Sequence, residues 1–252
     1  MNWINPPESP PTHVSHHTFY SKLLGFEIGY NIYLPPNCAH CPVRYHLHGF
    51  TGHESTEIWP MEPVYRGTQT IMVFPNVTSG GVGYVNGEFP MEDVILTELI
   101  PHIDAHYPTD PNPKSRSLSG FSMGGGGAFY YAAKHPELFG AVTAYAGTYH
   151  HFFYKGSRTV DVPPEHAAEL LDEMLQREAS GDQLEYLGDN ILGILRENAE
   201  AIRGELSIAL HVGSADILRC DNEIMHLYLN SLHIPHEYRV FSGAAHELTK
   251  IL

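Results

Sequence analysis

The pentapeptide Gly120-Phe121-Ser122-Met123-Gly124 constrains this chain more than any other feature. It joins a short strand-like run, Ser115–Ser122 (SRSLSGFS), to a helix-like run, Met123–His135, whose Ala128, Ala132 and Ala133 are small enough for close packing. A serine in a G-x-S-x-G turn between a strand and a helix reads as a nucleophile elbow. The chain reverses so sharply there that the serine backbone is strained. The flanking glycines let strand and helix approach where a Cβ would clash. The serine Oγ then stands clear of the sheet at the start of a helix. The bare pattern turns up by chance at roughly 0.1 per chain, so the strand before it and the helix after it carry the inference.

The rest of the chain supplies a sheet for that elbow to sit on. Two strand-like halves, FYSKLL and EIGYNIYL, occupy Phe19–Leu34, split by Gly25 and ended by Pro35-Pro36. Short apolar runs follow at Val43–His48, Thr70–Pro75, Ala141–Gly147, Leu206–Gly213 and His236–Gly243. Helix-like segments lie between several of them. Met91–Tyr107 places Val94, Ile95, Leu99 and Ile103 on one face, with Glu92 and Asp93 in its first turn. Pro101 predicts a kink or an early break there. Asp221–Leu232 reads as another helix. Short apolar strands alternating with helices predict an α/β fold with a mostly parallel sheet covered on both faces. Residues 1–15, rich in Pro and polar residues, read as an arm before a single domain spanning 16–252. Residues 148–205, acidic and helical in pattern, read as a cap-like insertion above the sheet.

Charge and cysteine usage narrow the function. Lys plus Arg number 14 against 29 Asp plus Glu, a net −15 with the 18 His neutral. Such a surface repels nucleic acid and anionic membranes and suits a neutral substrate. No apolar run approaches the roughly 18 residues needed to span a bilayer. The opening MNWINPPESPPTH has neither a basic nor an apolar leader region, which as written predicts a cytoplasmic protein. A trimmed leader would leave the same start, and secretion would then be expected. Cys38 and Cys41 form a C-x-x-C without a second pair of ligands, so a plain turn or a local disulfide is expected and no metal site. Cys220 reads as a buried odd thiol. No cofactor is expected, and the oligomeric state is open, a homodimer included.

A serine nucleophile needs a base, and the base needs an orienting acid, in the chain order Ser, acid, His for this kind of elbow. His246, in SGAAHE after the last strand, is the favoured base; His211, His233 and His236 are its rivals. Asp216, directly after the LSIALHVG run, is the favoured acid, with Asp221 read instead as the N-cap of the following helix. The Met123 N–H is one expected oxyanion donor. The Phe50 N–H, in His48-Gly49-Phe50-Thr51-Gly52, is the second, unless that segment is an ordinary strand-ending turn. For substrate contacts the candidates are His48, Tyr149, His150 and Phe152. The aromatic stretch Tyr149–Tyr154 would stack on an aromatic acyl group or line a sugar-facing cleft, or else pack the insertion onto the core.

These landmarks together (YSKLLGFEIGYNIYLPP, YHLHGFTG, SLSGFSMGGGGAFYYAAKHPELFGAV, GSADIL and DNEIMHLYLNSLHIPHEYRVFSGAAH) resemble the esterase D-like branch of the α/β-hydrolases. That branch holds feruloyl and acetylxylan esterases of the first carbohydrate esterase family, S-formylglutathione hydrolases and mycolyltransferases. The resemblance runs from about Thr18 to His246. It implies an α/β-hydrolase fold, a triad at Ser122, Asp216 and His246, and oxyanion donors at Phe50 and Met123. It also implies a serine esterase acting on short acyl or hydroxycinnamoyl esters, plausibly attached to plant polysaccharide. A thioesterase of the S-formylglutathione hydrolase kind, an alcohol-using transferase and an inactive binding protein are the alternatives. The sequence departs from relatives in Glu247 and Leu248, where an aromatic is common, and in ending six residues after His246, where a final helix usually follows.

Overall fold

Each apolar run of the sequence pairs with others to satisfy its backbone, and the result is one eight-stranded sheet. The computed structural model describes residues 2–77, 83–186 and 188–252. The strands are β1 (Val14–Ser21), β2 (Phe26–Tyr33), β3 (Val43–Leu47), β4 (Ile71–Pro75), β5 (Arg116–Phe121), β6 (Ala141–Tyr145), β7 (Ser207–Gly213) and β8 (Glu237–Phe241). Their spatial order is β1-β2-β4-β3-β5-β6-β7-β8. β1 and β2 form an antiparallel hairpin through the turn at Gly25 (φ +79°), and β2 runs antiparallel to β4. From β4 to β8 every pairing is parallel. The loops that leave the carboxyl ends of β3, β5 and β7 therefore emerge on the same side.

β1 starts at Val14, inside the segment read as an arm, and the residues before it are held in place. Trp3 packs its ring against Phe26 and Phe89, and its carbonyl accepts from the Gly29 N–H. An indole has enough apolar area to hold a polar segment down.

Alternation along β4 shows that both faces of the sheet are covered. Ile71 and Val73 belong to the larger core cluster, Met72 and Phe74 to a smaller one. The larger face is roofed by α1 (Ile100–His106), α2 (Met123–Lys134), α3 (Ala167–Ala179), α4 (Ile191–Glu205) and α5 (Arg219–Ser231). The smaller face is closed by Ile58, Met61 and Tyr65, around the single turn Glu62–Tyr65, and by the tail residues Leu248 and Ile251. Ile251 is fully buried and its carbonyl accepts from His211 Nδ1. The residues after His246 thus anchor the His246 loop to the smaller core.

Pro101 does not break its helix. The helical path runs on from Met91, with wide π-type turns over Val94–Leu99 directly ahead of α1. Proline removes an N–H donor and crowds the preceding turn, and widening that turn is one way to accommodate both. The helices of residues 148–205 pack on two others of the same face. α4 is the crossover from β6 to β7; it packs on α2, where Asn198 Nδ2 donates to the Ala133 carbonyl, and α3 packs on α5. Their apolar stripes, Leu171 and Met174 on α3 and Leu192, Leu195, Ala199 and Ile202 on α4, are buried toward these neighbours, which is why the segment lies flat on the molecule. Cys38 and Cys41 are joined by a disulfide, and Cys220 is a free buried thiol.

Candidate active site

Ser122 lies between β5 and α2 with φ +55° and ψ −118°, a conformation costly for a residue with a side chain. The surroundings hold it there. The Ser122 N–H donates to the Tyr145 carbonyl on β6, and the Ser122 carbonyl accepts from the N–H groups of Gly126 and Thr148. A Cβ on Gly120 would stand 2.2 Å from the Gly124 carbonyl oxygen, and one on Gly124 would stand 1.8 Å from that of Leu47. Strand, helix and the end of β3 meet at this point too closely for any residue but glycine.

The loop after β7 brings Asp216 beside this turn, and the loop after β8 brings His246. The two loops are locked together: Gly213 abuts the Ala244 carbonyl, which a Cβ would approach to 2.2 Å, and the Ala215 N–H donates to that same carbonyl. His246 Nε2 lies 2.9 Å from Ser122 Oγ. His246 Nδ1 lies 2.9 Å and 3.0 Å from the two carboxylate oxygens of Asp216. Asp216 is buried and its Oδ1 also accepts from the Leu218 N–H at 2.8 Å, so the carboxylate has one orientation. The imidazole stacks on Phe121 with ring centres 4.6 Å apart.

Ser122 and His246 open onto a cleft of about 340 Å³. Its walls are the Gly49–Gly52 loop, Thr56, Glu57 and Phe121, with Ser122 and His246 at the base. The Phe50 ring is 61% exposed at this mouth. The Phe50 N–H donates to no acceptor among the described residues, whereas the Gly49 N–H donates to Glu57 and the Gly52 N–H to the Gly49 carbonyl. Met123 follows Ser122 as the first residue of α2, where helical N–H groups have no partner within the helix.

The other candidates lie elsewhere. His211 is buried in β7 between the Ile251 carbonyl and Glu237, His236 is bonded to His226, and His233 occupies a left-handed turn position. Asp221 is not an N-cap: α5 starts two residues earlier, after Leu218. Asp221 is instead fully buried and accepts from the N–H groups of Tyr149 and His150, both at 3.0 Å, and from His150 Nδ1 at 2.8 Å. Two backbone donors at the far side of a loop outbid the helix start for this carboxylate.

None of the four residues read as substrate contacts lines the cleft. Tyr149 is buried against Phe129, and Phe152 stacks on Tyr130 with ring centres 4.9 Å apart. His150 is tied to Asp221. His48 is buried beneath the loop, accepting at Nε2 from the Val77 N–H and donating from Nδ1 to the Gly49 carbonyl. Burial holds its pKa below the ordinary imidazole value, consistent with the neutral form that such a pair of bonds requires. The aromatic run at 149–154 packs because its rings alternate with backbone pinned by Asp221, a long-range contact with no local sequence signal. The neighbours Glu57, His46 and Ser119 carry no recognisable motif and were not singled out by spacing.

Comparison with known proteins concerns the family and the fold. The family model described as "Putative esterase" matches residues 21–243. Esterase Rv1288 of Mycobacterium tuberculosis is 27% identical over 144 residues, which cover 52% of this chain and 32% of that protein. The match thus spans about a third of the length of this curated relative. Among solved structures, a ferulic acid esterase superposes with a TM-score of 0.71 at 21% identity, covering 94% of this chain and 92% of its own. The S-formylglutathione hydrolase FrmB of Staphylococcus aureus superposes with a TM-score of 0.71 at 15% identity, covering 94% of each. At these identities the likeness shows a shared α/β-hydrolase fold.

Proposed function

The chain belongs to the Esterase family, and from that premise we propose that it is an esterase, hydrolysing carboxylic esters through an acyl-enzyme on Ser122. One observation carries the reading: His246 bridges Ser122 Oγ and the buried Asp216 with hydrogen-bond distances of 2.9 Å on both sides. In this reading His246 Nε2 takes the Ser122 proton as Oγ attacks the ester carbonyl carbon. Asp216 fixes the imidazole with its proton on Nδ1 and stabilises the imidazolium. The carbonyl oxygen becomes an oxyanion held by the Phe50 and Met123 N–H groups, each worth about 3 kcal/mol in the transition state. His246 returns the proton to the leaving alcohol as the C–O bond breaks. Water then attacks the acyl-enzyme by the same steps, releasing the acid and restoring Ser122.

The substrates proposed are short acyl or hydroxycinnamoyl esters, including those attached to plant polysaccharide. The cleft favours them: Phe50 and Phe121 offer aromatic faces beside Ser122, and aromatic rings reward a flat acyl group with offset or edge contacts. The one charged lining residue among those described, apart from the titratable His246, is the acidic Glu57, with no Lys or Arg. That lining, in a chain of net charge −15, offers nothing to the carboxylates of a glutathione thioester. Rates on p-nitrophenyl acetate, p-nitrophenyl butyrate, methyl ferulate and S-formylglutathione, wild type beside Ser122→Ala, test the proposal. Activity on the oxygen esters that vanishes in the variant supports it. Equal rates in the two proteins overturn the Ser122 assignment, and a preference for the thioester overturns the substrate class.

A further inference from the structure

Beneath the cleft lies a second serine–histidine–carboxylate chain. Ser119 Oγ is 2.9 Å from His46 Nδ1, and His46 Nε2 is 2.6 Å from Glu57 Oε2. The other carboxylate oxygen of Glu57 accepts from the Gly49 N–H at 2.9 Å. All three side chains are buried, Ser119 completely, so no ester reaches Ser119 and this chain is no second nucleophile. One end lies on the strand that leads to the elbow, and the other holds the loop that carries Phe50. Ser119 is on β5, three residues before Ser122. Gly49 is the residue before Phe50.

We propose that Glu57 is a positioning residue for the oxyanion-binding loop: one oxygen fixes the Gly49 N–H, and the other ties that loop through His46 and Ser119 to the strand that carries Ser122. The inference rests on the acyl-enzyme reading above. The Phe50 N–H belongs to the Gly49–Phe50 peptide, and in a trans peptide the N–H points opposite to the C=O. The Gly49 carbonyl is held by His48 Nδ1 at 2.9 Å and by the Gly52 N–H at 3.0 Å. The Phe50 N–H is therefore directed away from both. The preceding peptide is held by Glu57. With carbonyl and amide of Gly49 both anchored to buried side chains, the donor cannot rotate without breaking a buried hydrogen bond. Gly49 itself lies against the elbow, since a Cβ there would stand 3.4 Å from the Phe121 carbonyl oxygen and 3.5 Å from Ser122 Cβ. Loops seldom hold a donor within the tolerance that transition-state binding asks for unless packed side chains fix them.

The test compares Glu57→Ala and Glu57→Gln with wild type on p-nitrophenyl acetate and with an alkyl trifluoromethyl ketone, whose hemiketal oxygen occupies the oxyanion site. Glu57→Ala is expected to lower kcat about 10²-fold with KM changed less than threefold, and to raise the ketone Ki in proportion. Glu57→Gln keeps an acceptor for Gly49 and a donor for His46, whose imidazole changes tautomer, and is expected to stay within fivefold of wild type. A Glu57→Ala kcat within threefold of wild type, a loss of rate without a parallel change in Ki, or failure of Gln to rescue would each overturn the proposal. If Glu57→Ala does not fold, His46→Gln decides by the same pairing of kcat and Ki. A Ser122→Ala control that keeps full activity would instead remove the acyl-enzyme reading itself.

Discussion

Ser122 and Ser119 stand three residues apart, and each faces a histidine backed by a buried carboxylate. The distances hardly distinguish them: 2.9 Å from serine to imidazole in both, with carboxylate contacts of 2.9 Å and 2.6 Å. Everything around them does. Ser119 is in regular strand, faces the smaller core and is fully buried. Ser122 sits at φ +55°, at the base of a cleft, near a Phe50 N–H that no described acceptor engages. Ser119 meets Nδ1 of its imidazole and Ser122 meets Nε2. A hydrogen-bonded Ser–His–acid chain is thus a common way to satisfy buried polar groups. In the reading proposed here, access and neighbouring donors are what make Ser122 and not Ser119 the nucleophile.

The sharpest way to break this contrast is to remove each hydroxyl in turn. Ser122→Ala is expected to cost about 10⁴–10⁶ in kcat and to abolish labelling by a fluorophosphonate probe. Intact labelling of that variant, located by peptide mass, would place the nucleophile elsewhere. Neutralising the acid should separate the two chains next. Asp216→Asn is expected to lower kcat about 10⁴-fold, because an amide no longer selects the imidazole tautomer that accepts from serine. The same chemical change at Glu57, read on the same substrate, should cost less than fivefold. Similar losses at both carboxylates would erase the distinction drawn here. Ser119→Ala leaves His46 Nδ1 without its partner but exposes no catalytic group. It is expected to lower kcat only about threefold and Tm by about 2–4 °C, on the order of 1 kcal/mol for one buried hydrogen bond.

The smallest effect concerns pH. His17, His48, His102, His151 and His226 are all held below the ordinary imidazole range, burial being the largest cause in each, and His151 is lowered to about 4. Below about pH 6.5 the unfolded chain takes protons on these residues while the folded chain resists, down to about pH 4 at His151. Their stabilising contribution is therefore full above about 6.5 and drains as pH falls toward 4. Thermal melts should show Tm dropping across that window, and His151→Gln should make the drop shallower. An unchanged slope in the variant would show that His151 protonation does not report on folding.

The elbow was legible because its requirements are local. Two glycines, a strand before and a small-residue helix after are all written within about twenty residues, and position just after a strand then favoured Asp216 and His246 over their rivals. The strand runs were legible for the same reason, since alternation and length are local properties. Residues 149–154 were not. Their aromatic composition suits a binding wall as well as a core, and only Asp221, some seventy residues away, turns their backbone inward. His48 was drawn to the site by its neighbours in sequence, whereas its side chain points beneath the loop. Glu57 lies in a polar run, HESTE, with nothing to set it apart from Glu54.

By itself the sequence determined an α/β scaffold with a mostly parallel sheet and a serine at a sharp strand-to-helix turn. These follow from hard sterics and from patterns of period two and three to four. The tertiary structure alone decided which buried polar groups meet: which serine has access, which carboxylate faces an imidazole and which merely pins a loop. The reason is physical. A buried donor or acceptor must find a partner, yet the partner's identity is set by how strands align and loops return, over distances that no local pattern of residues encodes.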